Sequence, residues 1–527
     1  MQALPAHSET LSMSSQSTFE SGIAAPLPQS PQALWGPLFQ AVQQAGLFPD
    51  GKAFADAVPR AGMAAGIGQD FEQQRAQPGF DLARFVEHHF IVPEPDADDL
   101  ATASTPSIGI EQHIRELWPR LLRNTEQPHL EQGSLLPLPH PYVVPGGRFR
   151  EVYYWDSAFT MQALLLHDLQ PVAQDMLDNF AALVRRVGHV PNGNRSYMLS
   201  RSQPPLLYRM VELISPDEPA RYLDVLRAEH RFWMAGEAGL APGQCERRVV
   251  RLADGALLNR YWDDACTPRD ESWREDVETA AEAPHRPAAE VWRDLRAGAE
   301  SGWDFSSRWC ADPDRLCTIA TTSLLPVDLN ALLWGLEQAI ARGARALGDA
   351  SLADEFEARA ASRADALRRH LWSQAQHCFV DCDWRSGLQR ELTAATVVPL
   401  YTGLASAAEA AAVAELVQAQ LLAPNGLRTS LRRSGQQWDQ PNGWAPLQVM
   451  AVEGLLRYGH KALALDLARR WIACLERVFD ASGKLVEKYD TELDRIGGGG
   501  EYPTQDGFGW TNASYVIFKR LIEANTA

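Results

Sequence analysis

Carboxylates, arginines and amides interleaved with aromatic rings recur in a few short stretches of this chain. The densest is Pro145-Gly146-Gly147-Arg148-Phe149-Arg150-Glu151-Val152-Tyr153-Tyr154-Trp155-Asp156, which follows a glycine pair with cations, carboxylates and four aromatics. Gln437-Trp438-Asp439-Gln440-Pro441-Asn442-Gly443-Trp444-Ala445-Pro446 is the second. Related compositions appear in Asn192-Gly193-Asn194-Arg195 running to Arg201-Ser202-Gln203, in Arg269-Asp270-Glu271-Ser272, in Ser301-Gly302-Trp303-Asp304-Phe305 and in Glu487-Lys488-Tyr489-Asp490. Gly497 to Gly500 with Glu501 closes the series. A sugar presents apolar C–H faces that stack on indole and hydroxyls that need paired donors and acceptors, so this mixture suits a neutral, hydroxyl-rich ligand.

Hydrolysis of an acetal needs one carboxyl that donates a proton to the leaving oxygen and a second that activates water or attacks. Asp304 lies between Trp303 and Phe305, and rings packed around it would favour its protonated form, which makes it the acid candidate. Glu487 sits beside Lys488 in a charged, solvated-looking stretch and suits the base. Plainer readings stand beside these. Asp304 would serve as a loop cap, Glu487 as surface charge, Arg148 as a structural ion-pair partner, the tryptophans as core and the glycine run as a passive linker. Several loops sharing one composition are harder to explain by packing alone.

The elements that must position these loops are helical. Apolar spacing predicts helices from Leu34 to Ala45, Ile110 to Leu122, Phe159 to Leu169, Val172 to Val187, Leu223 to Met234, Leu332 to Leu347 and Leu352 to Trp372. Ser406 and Glu409 have the spacing of a capping box opening a helix to Leu421. Further helices are expected from Ala445 to Tyr458, Ala464 to Val478 and Trp510 to Leu521, with strands only near Arg247 to Arg251 and Cys378 to Asp383. Helices in sequential pairs joined by long loops suggest helical hairpins, and about twelve would fit a double-layered ring, an all-α (α/α)6 toroid. Residues 1–32 are expected to form a loose tail and residues 33–527 a single catalytic domain.

The chain has 527 residues and a formal charge of −18, with no basic patch, which excludes nucleic acid and an anionic membrane surface as expected partners. Seven scattered cysteines are expected to be free thiols, and His377-Cys378 with Cys382 lacks a second pair of ligands, so no metal and no cofactor are expected. No apolar run is long enough to span a bilayer and the start lacks a basic-then-apolar leader, so the chain as written reads as cytoplasmic; a periplasmic chain with its leader removed would look the same. A monomer acting on a small molecule is the expectation.

The two long motifs closely resemble the two signature patterns of the α,α-trehalase family. The likeness runs from about Trp35, through Phe48-Pro49-Asp50-x-Lys52, to about Asn512. The resemblance implies an (α/α)6 toroid that hydrolyses trehalose with inversion and without metal. It assigns the acid to Asp304 and the base to Glu487, and substrate binding to Arg148, Trp155, Asp156, Asn192, Arg201, Ser202, Gln203, Arg269, Glu271, Gly302 and Glu501, with Gly497 to Gly500 as a lid. Asp270 joins the binding set as the residue that Arg269 and Glu271 flank. Ala158, Met198 and Asp270 depart from the family pattern and bear on affinity and loop rigidity. The alternatives are a toroid glycosidase or phosphorylase acting on another α-glucoside, and a non-catalytic sugar-binding protein.

Overall fold

A computed structural model describes residues 27–60, 66–93, 109–125, 133–500 and 507–525. Among them, six helices form an inner ring: Tyr154–Leu166, Leu207–Ile214, Val327–Ala346, Val398–Thr402, Ala445–Arg457 and Gly509–Glu523. Each packs on the next, and the last returns to pack on the first, so the ring closes. The helices Ile110–Leu121, Gln170–Val187, Leu223–Trp233, Ala350–His370, Ala407–Leu416 and Lys461–Ser482 form the outer layer. This is the (α/α)6 toroid.

Burial explains the two layers. The inner helix Tyr154–Leu166 hides nearly every side chain from Tyr154 to Leu164, whereas its outer partner Gln170–Val187 buries a stripe of Met176, Leu177, Phe180, Leu183 and Val184 and leaves Arg185 and Arg186 out. Ser406 Oγ accepts from the Glu409 amide at 3.2 Å while the Glu409 carboxylate accepts from the Ser406 amide at 2.7 Å, the expected capping box. That helix runs to Leu416 and then loosens into a wider turn, Val417–Leu421.

Several expectations shift. The helix expected from Leu34 to Ala45 is two, Pro31–Trp35 and Pro37–Gln44, broken at Gly36 with φ 42°. Pro31 and Gln32 thus belong to the folded body, not to a tail. Residues 1–26 lie outside the described residues. The inner helices Leu207–Ile214 and Val398–Thr402 add to the expected set: the first is only eight residues long, with a buried stripe of Leu207, Tyr208, Met210 and Val211, and the second has five residues and is almost wholly buried. Arg247 to Arg251 belongs to a three-stranded antiparallel sheet, Gln244–Glu246, Val249–Arg251 and Leu257–Asn259. All seven cysteines are free.

Trp35, Phe39, Phe54, Phe85 and Phe90 build a satellite core that closes on Tyr153, Tyr197, Met198 and Trp273 from the toroid loops. The segment before the toroid is thereby pressed against the loops that matter most. A buried knot fastens it: Lys52 Nζ meets Asp56 at 2.5 Å and Glu151 at 3.0 Å, and Arg195 meets the same two carboxylates at 3.2 and 2.9 Å.

Candidate active site

Asp304 and Glu487 open onto one cavity, together with Arg148, Trp155, Asp156, Asn192, Arg201, Gln203, Arg269, Glu271 and Gly302. It holds about 660 Å³ of atom-free space, part of it open to solvent. Trp155 and Asp156 come from the first turn of Tyr154–Leu166, Arg148 from the segment before it, Arg201 and Gln203 from the segment before Leu207–Ile214, and Asp304 and Glu487 from the longer loops that precede Val327–Ala346 and Gly509–Glu523. The fold thus brings residues hundreds of positions apart into one cavity.

The indoles make the wall. Trp438 and Trp444 stack face to face at 3.9 Å with 3° between planes, and Trp303 stacks on the other side of Trp438 at 5.5 Å. Trp155 leans on Trp438 at 5.7 Å, and Trp510 meets both members of the central pair edge-on. Gly302 permits this arrangement: its φ is +74° and a Cβ there would lie 2.8 Å from the Trp155 ring. The tryptophans are thus core and wall at once.

Glu487 was expected in a solvated stretch, and the structure corrects this. Glu487 is 1% exposed and Lys488 is fully buried. Lys488–Asp490 pairs antiparallel with Asn442–Trp444, so the second motif covers the base-bearing segment as its partner strand. Trp510 Nε1 donates to the Glu487 carbonyl at 2.9 Å, and Lys488 Nζ donates to Glu487 Oε2 at 3.2 Å. On the acid side, Gln437 Nε2 donates to the Asp304 carbonyl at 2.5 Å and the Trp438 amide donates to Phe305 O at 3.0 Å.

Asp156 reports the crowding. Burial raises its carboxyl well above the ordinary range, and the neighbouring Glu487 and Asp304 carboxyls raise it further. The arginines are held rigidly. Asp50 clamps Arg148 through two bonds of 2.7 and 2.6 Å, Asp276 clamps Arg269 through Nε and Nη2, and Arg201 donates to Asn192 at 2.7 Å and to Glu271 at 2.6 Å. Arg148 is therefore both an ion-pair partner and a cavity wall. Burial acts to raise Glu271, but Arg201, Arg269 and Arg296 more than offset it and hold it below the usual value. Arg201 Nη1, ion-paired with Asp263 at 3.7 Å, and Glu271 Oε2 are buried and make no hydrogen bond within the protein, a donor and an acceptor that a ligand could satisfy.

Two expected binding residues point elsewhere. Ser202 donates through Oγ to Val190 O at 2.6 Å, and its amide donates to Glu300 at 2.8 Å. Asp270 accepts from the Gln32 amide at 2.8 Å, so it fastens the Pro31–Trp35 helix instead of facing the cavity. Glu501 lies outside the described residues. Lys52, Met198, Phe508 and Trp510 also line the cavity, although none was expected among the binding residues. Among the described residues no group of three or more His, Cys, Asp or Glu side chains could hold a metal ion, and no helix is long and apolar enough to cross a membrane.

The trehalase sequence family matches residues 46–523, nearly the whole described body. The chain belongs to the trehalase family. It is 52% identical over 501 residues to a periplasmic trehalase of Pseudomonas aeruginosa, covering 93% of this chain and 90% of that one. A periplasmic trehalase of Citrobacter koseri is 50% identical over 491 residues, 92% of this chain and 85% of the relative. These names overturn the cytoplasmic expectation: a start without a visible leader does not assign a compartment when such similar proteins are periplasmic. Among solved structures, the neutral trehalase Nth1 of Saccharomyces cerevisiae aligns with a TM-score of 0.60 at 27% identity, covering 73% of this chain and 74% of that one. A mannosylglycerate hydrolase from Thermus thermophilus shares the fold, with a TM-score of 0.53 at 18% identity over 78% of this chain and all of that one.

Proposed function

We propose that this trehalase-family chain hydrolyses α,α-trehalose to two glucose molecules with inversion, Asp304 acting as general acid and Glu487 as general base. Asp304 protonates the oxygen bridging the two sugars as its bond to the anomeric carbon lengthens. Glu487 takes a proton from a water that attacks that carbon from the opposite face, so one glucose leaves as the β anomer and the other as the α anomer. The observation that carries this reading is the convergence of both carboxyls on one indole-walled cavity.

The clamped arginines suit the charge-free ligand. Arg148, Arg201 and Arg269 offer donors whose orientations are set by Asp50, Glu271 and Asp276 before substrate arrives, so little is spent on ordering them. With buried partners for each hydroxyl, an analogue lacking or inverting one would strand a donor or acceptor, which predicts narrow specificity. Residues 33–527 act as one catalytic unit in this reading, as a monomer that needs neither metal nor cofactor.

Proton NMR of a fresh trehalose digest tests the reading. Equal early amounts of α- and β-glucose are expected; two α anomers would contradict inversion, and no glucose would leave only a binding role.

A further inference from the structure

We propose that Gln437 is the positioning residue that ties the acid-bearing segment to the base-bearing segment, setting the rate of hydrolysis without touching substrate. This rests on the assignment of Asp304 and Glu487 above. Gln437 is 1% exposed and does not line the cavity. Its Nε2 donates to the Asp304 carbonyl at 2.5 Å, and its Oε1 accepts from Lys488 Nζ at 2.8 Å. The same Nζ donates to Glu487 Oε2 at 3.2 Å. One side chain therefore links the main chain at the acid to the carboxylate of the base, segments 183 positions apart in sequence (487 − 304).

The chemistry of the two partners fixes the amide's orientation. A main-chain carbonyl only accepts and a protonated lysine only donates, so the position needs a donor and an acceptor aimed in opposite directions, which an amide supplies. Its own backbone is equally constrained: Gln437 O accepts from Trp444 Nε1 and from Asn442 Nδ2, each at 2.9 Å. The glycine run also bears on it, since a Cβ on Gly500 would lie 2.4 Å from Gln437 Oε1. The acid loop, the base strand, the indole stack and the glycine run thus meet at one buried amide. A general acid and base must be held within a fraction of an ångström, and about 1 Å of misplacement costs on the order of 10²-fold in rate.

The test compares wild type with Gln437→Met, which keeps the volume and removes both bonds, and with Gln437→Glu. Gln437→Met should lower kcat on trehalose about 10²-fold with KM within about threefold. Gln437→Glu regains a donor when protonated, so its activity relative to wild type should climb as pH is lowered from 8 to 5. This second readout remains available should Gln437→Met fail to fold; taken as kcat at saturating trehalose on protein shown by circular dichroism to be folded at each pH, it separates positioning from the loss of stability that any buried carboxylate brings. A Gln437→Met kcat within threefold of wild type, a loss confined to KM, or a Gln437→Glu ratio independent of pH would each overturn the inference. Asp304→Asn and Glu487→Gln are assayed in parallel. Near-normal turnover in either sinks the acid/base assignment itself, whereas two inactive variants beside an active Gln437→Met sink only the role of Gln437.

Discussion

Replacing Glu229 by Gln should stabilise the protein at neutral pH and leave it unchanged in acid. Glu229 is fully buried on the outer helix Leu223–Trp233, and its Oε1 accepts from the Tyr154 hydroxyl. That hydroxyl in turn accepts from the Leu207 amide at 2.7 Å, so one phenol joins the outer helix to the starts of two inner helices. Among the described residues no cation acts on the carboxyl, and its Oε2 makes no hydrogen bond. Burial therefore raises its pKa from 4.5 to about 8, with the Tyr154 bond pulling slightly the other way.

The folded state holds this proton more tightly than the unfolded state, so stability is complete below about pH 4.5 and declines as pH rises towards 8. At about 1.4 kcal/mol per unit, roughly 3 kcal/mol has been lost by pH 7 and roughly 5 kcal/mol above pH 8. Glutamine matches the neutral acid in shape and keeps an oxygen for Tyr154, but has no proton to lose. Urea unfolding of both proteins at pH 4.5, 6, 7 and 8 reads the difference directly. The gain of Glu229→Gln over wild type should grow from near zero to about 3 kcal/mol at pH 7 and level off above 8. A difference that does not change with pH would refute the reasoning, because it would mean that Glu229 is ionised in the fold at a compensated site.

Asp304→Asn and Glu487→Gln should each lower kcat by at least about 10³-fold while calorimetry still detects trehalose binding within about tenfold of wild type. Asp270, raised by burial to about 6 from 3.8, carries the same sign as Glu229. Asp270→Asn should remove a loss of stability that wild type shows between about pH 4 and 6, read as the shift in unfolding midpoint. Gly302→Ala puts a methyl 2.8 Å from Trp155 at φ +74°, and should cost about 1 to 3 kcal/mol and most of the turnover, seen as a lower Tm and kcat. Asp50→Ala removes the two-bond clamp on Arg148; KM for trehalose should rise about tenfold with a smaller change in kcat.

What could be read in the chain beforehand follows from where periodicity leaves a mark. Amphipathic outer helices such as Gln170–Val187 print an apolar stripe with a polar back, and the longer inner helices Tyr154–Leu166, Val327–Ala346, Ala445–Arg457 and Gly509–Glu523 still carry enough apolar spacing to be read, whereas Val398–Thr402 is too short to print anything. The site was legible for a different reason, because indoles, carboxylates and arginines in one loop are costly to keep without a ligand. Glu487 shows the limit of that logic. Its neighbours in sequence are charged, yet its neighbours in space are Trp510, Lys488 and the strand Asn442–Trp444, none of which a local window contains. Ser202 and Asp270 err in the opposite direction: the family resemblance put Ser202 in the cavity and its neighbours Arg269 and Glu271 put Asp270 there, while the backbone turned their side chains to Val190 and Gln32.

The same contrast bears on how the toroid works. The loops that carry the site do not act independently, since each is bonded to another. Gln437 answers to Asp304 and Lys488, Trp510 to Glu487, and Arg148 to Asp50 in a segment that is not part of the ring at all. A substitution in one loop is therefore felt at the chemistry carried by another, and removing the segment that contains Asp50 and Lys52 should abolish turnover even where the twelve-helix ring still closes.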